Sequence, residues 1–304
     1  MTMLVSGWVA IDDIETPFTS VTNSLGGSAT CAALAGALFT DVRLLAVVGE
    51  DFPDEMRRKL ERPRMDLSGL STIAGGKTSR WGARYSYDMN SRETWYPELG
   101  VSIDHLPPLL EQWADCSAAC LAAGHPAYQR GLLSGLRAPK VTLVDTIKMF
   151  IDETPDELRQ TMQQADFVTL NESEARELAQ TPSIARAGRS LVSNGVKGVI
   201  VKLGEYGAAF SSRDDYFVAP GYPLEEVVDP TGAGDSFAGG FLGYLDTAPE
   251  ITRTEIRRAI IYGSTVASFS VEGVGPSRLL TLTREEVEVR YRQFRELTHF
   301  EVDG

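Results

Sequence analysis

Histidine and cysteine are scarce in this chain: three of each among 304 residues. Cys31, Cys116 and Cys120 are odd in number and fit no zinc spacing, so they suit a reduced cytoplasm better than a disulfide framework. His105, His125 and His299 are scattered, which leaves a Ser/His/Asp arrangement nothing to stand on, and each reads as a surface residue. No apolar run approaches the roughly 18 residues of a membrane span. The amino terminus, MTMLVSGWVAID, lacks the basic leader and apolar core of a secretory signal. A basic surplus is missing too: 29 Lys and Arg stand against 42 Asp and Glu, a net charge of −13. Nothing is left over to neutralise a nucleic acid or an anionic membrane. A nucleotide held by backbone donors and magnesium is not excluded by that balance.

What is present is ordinary for a globular α/β protein: 43% hydrophobic and 23% charged residues. Strand-like runs at 3–9, 42–48, 118–122, 141–144, 167–170 and 199–201 alternate with helical patterns such as 28–39 and 53–60. That alternation predicts a mainly parallel sheet with helices on both faces, in one unit over 1–304. Within 78–89, Trp81, Ala83, Tyr85 and Tyr87 alternate with Arg80, Gly82, Arg84 and Asp88, a period of two that predicts a strand. Asn90-Ser91 reads as a turn into a second short strand at 93–96. Gly75-Gly76-Lys77-Thr78 imitates the end of a P-loop, but Ser71 stands where its first glycine belongs, and a strand follows rather than a helix.

The most informative stretch is VVDPTGAGDSFAGGFLGYL, 227–245. Val227 and Val228 read as a strand end, Asp229 to Gly234 as a tight turn poor in side chains. A helix follows with Phe237, Phe241, Leu242 and Leu245 on one face. Free N–H groups at a helix start, and the dipole behind them, favour an anion. Asp235 beside such a site would repel the anion unless it takes a proton from an attacking nucleophile. Glycines plus one acid therefore point to phosphoryl transfer.

This stretch resembles the C-terminal signature of the ribokinase-like (PfkB-type) sugar and nucleoside kinases. Asp229, Gly232, Ala233, Gly234, Asp235 and the pair Gly239-Gly240 fall where that pattern wants them. The resemblance implies a three-layer αβα sandwich with a small β-sheet lid, formed here by segments at about 13–22 and 71–97. It implies an ATP-dependent kinase acting on a hydroxyl of a small sugar, nucleoside or polyol, with Gly232, Ala233 and Gly234 as anion hole and Asp235 as base. On the acceptor side it assigns Asp12, at the expected end of the first strand, and Gly26-Gly27. The family's usual asparagine is replaced by Cys31, a poor hydrogen-bond partner, which sets this acceptor site apart from that of a simple ribose or fructose kinase. Arg84 or Asn90, on the lid's polar face, are expected to reach the acceptor.

On the nucleotide side the resemblance assigns Asn171, Lys202, Gly204 and Gly207, along with Gly232 and Gly234. Glu174, three residues after Asn171, would act on magnesium through water; the same Asn-x-x-Glu is also an ordinary helix cap. Gly273 and Ser277 would join Asp229 and Thr231 around a monovalent cation, potassium. The lid's aromatic face implies a cover, either its own domain or a second subunit, and a homodimer is expected. A non-catalytic nucleotide or sugar sensor on the same fold is the alternative. A nicotinamide enzyme is disfavoured because Phe237 stands where a dinucleotide fingerprint needs glycine.

Overall fold

The computed structural model describes residues 1–299, the side chains of residues 96 and 97 excepted. The last five residues of the expected unit lie outside the described residues.

Short apolar runs form a ten-stranded sheet whose central strands are parallel. Across it lie Gly198–Lys202, Phe167–Asn171, Val141–Asp145, Ala118–Leu121, Thr2–Ser6 and Asp41–Gly49. Val141–Asp145 is buried at every position, as expected of a strand covered by helices on both faces. The expected core strands are found, shifted by a few residues at their ends. Two strands, Ala208–Ser212 and Tyr216–Ala219, had no expectation; they add an antiparallel hairpin to one edge. Alanine and serine dominate the first of them, too little hydrophobic pattern to register. Val227 and Val228 are not a strand; Val228 instead donates its N–H to the Val271 carbonyl at 2.8 Å.

Ser28–Gly36 and Ala233–Thr247 cross in backbone contact. A Cβ at Gly239 would lie 2.1 Å from the Ala32 carbonyl oxygen, so the small residues set how closely these helices meet. Phe237, Phe241, Leu242 and Leu245 are all buried in the principal core. Among the described residues no helix is long and apolar enough to cross a membrane.

A second sheet of four strands, in the order Ser20–Gly26, Ala10–Glu15, Ser79–Tyr85, Arg92–Glu98, covers the carboxyl edge of the first. This is the expected lid, with corrected bounds. The lid begins at residue 10 and not 13, and 16–19 is the turn between its first two strands, closed by Thr16 N–H to Thr19 O at 2.8 Å. Leu70–Ile73, expected within the lid, pairs with Asp41–Gly49 in the main sheet. The Gly75–Thr78 turn leads into a lid strand, so no P-loop forms there. Thr78 instead anchors the lid, its N–H and hydroxyl both donating to Asp51 at 2.7 and 2.8 Å.

Candidate active site

The site forms where the helix Ala233–Thr247 begins, beneath the lid. Gly232 caps this helix in the left-handed region at φ 75°, a conformation that costs a side-chain-bearing residue dearly. Its bare α-carbon also makes room for Cys31: a Cβ there would lie 2.5 Å from the Cys31 sulfur. Cys31 is thus a packing residue beneath the Gly232 turn. Burial among Asp235, Asp12 and Asp229 pushes its thiol well above the usual range, so it stays protonated and inert.

Asp229 fixes the turn from below. Fully buried, it accepts the Thr231 N–H at 2.8 Å with one oxygen and the Gly275 N–H at 2.7 Å with the other. The 273–277 loop is therefore brought to the Asp229–Thr231 turn, and Ser277 packs on Gly273.

Asp235 sits in the first turn of the helix, and burial raises its carboxyl to about 7. The neighbouring Asp145 raises it further, while Lys202 and Arg92 work in the opposite sense. Lys202 ends the strand Gly198–Lys202 and forms an ion pair with Asp145 at 2.8 Å. Its ammonium lies 3.0 Å from the position a Cβ would take at Gly234, so it borders the start of the helix. Burial opposes the charge on Lys202, but Asp145, Asp235 and Glu174 outweigh it and its pKa is raised.

Asn171 and Glu174 form a reciprocal capping box: Asn171 accepts the Glu174 N–H at 2.9 Å, and Glu174 accepts that of Asn171 at 2.8 Å. The ordinary helix cap is thus real, and Glu174 also faces the site. Burial lifts its carboxyl to about 7 against the pull of Lys202. Gly204 and Gly207 shape the turn after Lys202, with Leu203 N–H bonded to the Gly207 carbonyl at 2.8 Å.

On the opposite side Asp12 is 4% exposed and held near 7, chiefly by burial. It lies in the lid strand Ala10–Glu15, not at the end of the first core strand as the spacing suggested. Gly26 accommodates it: a Cβ there would lie 1.9 Å from an Asp12 carboxylate oxygen. The Gly27 N–H bonds to the same carboxylate, and Oδ1 of Asp12 has no partner. The glycine pair therefore makes room for Asp12 and for the Trp8 carbonyl, 2.4 Å from the Cβ position of Gly27.

The faces of the lid are the reverse of expectation. Ala83 and Tyr85 are buried against their own domain, and Tyr85 meets Thr231 through a 3.1 Å hydrogen bond. Arg84 points outward, paired with Glu15 at 2.8 Å and lying over the Trp95 ring, so it does not reach the acceptor side. Asn90 is at the hairpin tip, bonded to Asp88 and set against Gly204 on the nucleotide side. Of the expected aromatic face Tyr85 is covered from within, while Tyr87 stays exposed.

Two site residues had no expectation. Asp145 ends a strand whose apolar pattern stops one residue earlier. Arg92 lies opposite Tyr85 in the lid, 5.5 Å over the Trp81 ring, and its charge lowers the carboxyls of Asp235 and Glu174. Only the pairing of the hairpin reveals it.

A carboxylate beside a glycine-rich helix start, a lysine next to it and a second sheet over both are what a small-molecule phosphotransferase on an α/β fold uses. The family model for pfkB carbohydrate kinases matches residues 12–282, and the chain belongs to that family. It is 34% identical over 270 residues to a cytidine kinase of Thermococcus kodakarensis, covering 84% of this chain and 94% of that protein. The fold matches a Burkholderia thailandensis nucleoside kinase in complex with inosine at a TM-score of 0.76, with 21% identity over 96% of this chain and 98% of that one. A fructokinase double mutant of Vibrio cholerae O395, bound to fructose, ADP and potassium, also aligns at 0.76, with 19% identity over 95% and 97% of the two chains. The protein is a kinase of the nucleoside and carbohydrate class, transferring phosphate to a hydroxyl acceptor.

Proposed function

We propose that this kinase moves the γ-phosphoryl group of ATP to a hydroxyl of a small polyhydroxylated acceptor held at Asp12, with Asp235 as general base. The observation that carries the reading is Asp235 itself, raised to about 7 directly beside the helix-start glycines. An ordinary aspartate near 3.9 is a feeble base. Held near 7, the same group is about half ionised at neutral pH and binds a proton far more strongly, close to the optimum for a general base. The acceptor oxygen would form its bond to the γ-phosphorus as the bond to the β–γ bridging oxygen breaks. The hydroxyl proton passes to Asp235 and ADP leaves. The transition state is loose, so proton removal comes late and most of the catalysis is positioning and charge stabilisation. The N–H groups at Gly232–Gly234 and the ammonium of Lys202 would supply that stabilisation.

Magnesium fits this donor set. Among the described residues no three His, Cys, Asp or Glu side chains converge as a metal cage. Magnesium needs none, since it keeps most of its water and takes one or two carboxylates with the phosphates. Glu174, with Asp145 nearby, would provide them; when bound, the ion neutralises phosphate charge. The lid would exclude water that competes as acceptor.

Asp235→Asn keeps the size of the side chain and removes the base. Turnover should fall roughly 10²–10⁴-fold while ATP binding, measured by calorimetry, persists. Activity within about threefold of wild type would remove Asp235 from this role. A wild-type protein that binds nucleotide and acceptor candidates without turnover would instead be a sensor.

A further inference from the structure

Three aromatic rings gather where three neighbouring strands end. Trp8 follows Thr2–Ser6, His125 follows Ala118–Leu121, and Phe150 follows Val141–Asp145, strands that lie side by side in the main sheet. Phe150 is buried and stands between the other two. Its ring centre is 6.4 Å from that of Trp8, tilted by 46°, and 5.6 Å from that of His125, edge-on at 70°. Trp8 is only half-buried and His125 is exposed. A hydrophobic core would enclose such rings; here one buried ring backs two that stay open at the carboxyl edge of the sheet, where α/β folds bind their ligands.

The trio is joined to the acceptor cradle. The Trp8 carbonyl accepts the Ala29 N–H at 2.9 Å and lies against Gly27, whose own N–H bonds to Asp12. Asp12 keeps one buried carboxylate oxygen without a partner, the kind of vacancy a ligand hydroxyl fills. Beneath the anion hole Cys31 replaces a hydrogen-bonding asparagine, so the sugar loses one polar contact. An acceptor needs compensating contacts elsewhere, and the adjoining surface is aromatic.

We infer that Trp8, His125 and Phe150 form a platform for a heterocyclic base, and that the acceptor is a nucleoside whose ribose meets Asp12. This rests on the kinase reading above. Aromatic side chains hold bases by stacking, with little dependence on which base it is. His125 adds a polar handle. Its Nδ1 accepts the Ala127 N–H at 3.2 Å, so the neutral ring carries its proton on Nε2 and can donate to a carbonyl oxygen or ring nitrogen of the base.

The test compares ribonucleosides (cytidine, uridine, adenosine and inosine) with free ribose, with ATP and magnesium, in an ADP-release assay. The quantity read is the ratio of kcat/KM for the best nucleoside to kcat/KM for ribose. A partly misfolded variant loses both equally and leaves this ratio alone. Wild type should favour a nucleoside, and Trp8→Ala should lower the ratio roughly tenfold or more. His125→Ala, at an exposed position, should lower it several-fold, and Trp8→Phe should restore most of the loss seen with alanine. A ratio unchanged in both alanine variants, or a wild type that phosphorylates ribose and no nucleoside, overturns the platform and leaves the kinase reading standing. A wild type inactive on every acceptor overturns the kinase reading and the platform with it.

Discussion

The hydroxyl of Thr231 donates a 3.1 Å hydrogen bond to the phenol oxygen of Tyr85. One residue belongs to the anion-hole turn, the other to the lid, and 146 positions of chain separate them. The bond ties the lid to the turn at the start of the helix Ala233–Thr247. At the same interface Gly275 lies against Ser24, and Asn90 against Gly204, so the lid docks on both loops that frame the site.

Tyr85→Phe removes the acceptor and keeps the ring. A hydrogen bond of this kind contributes about 0.5–1.5 kcal/mol, a factor of roughly 2–10. The acceptor KM should rise by about that factor, and ATP hydrolysis without an acceptor should increase as water gains entry. Steady-state kinetics with and without acceptor would read both effects. Wild-type values for the two would mean that the lid is held by other contacts.

Asp235 and Asp12 both titrate at about 7. Protonated Asp235 cannot accept a proton, so kcat/KM should climb through about pH 7 and level off above it. The two carboxyls interact, and the apparent value belongs to the pair. Asp12→Asn leaves a single group and should steepen no further limb. A flat profile from about pH 5 to 9 would contradict the assignment.

The same burial weakens the fold. The folded-state pKa of Asp12 is raised to about 7 from an ordinary 3.8, because burial disfavours its charge. The folded protein therefore holds this proton more tightly than the unfolded chain. The contribution to stability is complete below the ordinary value and lost as pH rises through about 7. Asp12→Asn should raise Tm by several degrees near pH 8, and the gain should shrink toward pH 4. Calorimetry at both pH values would check this; a variant less stable at pH 8 would show that the ionised carboxylate stabilises the resting enzyme.

Asp229 engages both Thr231 and Gly275, which places the 273–277 loop beside the anion hole. With potassium bound by Asp229, Thr231, Gly273 and Ser277, replacing it by tetramethylammonium at fixed ionic strength should lower kcat several-fold. An unchanged rate across these salts would show that the direct hydrogen bonds alone hold the turn.

Much of this protein was legible in the chain. Alternating apolar runs determined the parallel sheet, because a strand buried on both faces must be largely apolar, as in Thr2–Ser6 and Asp41–Gly49. Gly232 through Asp235 determined the glycine-capped helix start and its acid, since a left-handed backbone at Gly232 and the place of Asp235 in the first turn are matters of local spacing. Such features are short-range, and the order of residues suffices for them. Tertiary structure decided what depends on which surface meets which. Period two in Ser79–Tyr85 separates two faces but does not say which one turns inward, so Arg84 and Tyr85 exchange their expected roles. Asp12 is drawn into the lid by pairing opposite Trp81, and Lys202 finds Asp145 across one intervening strand, Phe167–Asn171. Cys31 marks a lost polar contact in the sequence; only the crossing of two helices puts its sulfur under Gly232. Burial, which raises Asp235 to about 7, is a property of the assembled neighbours and of no residue alone.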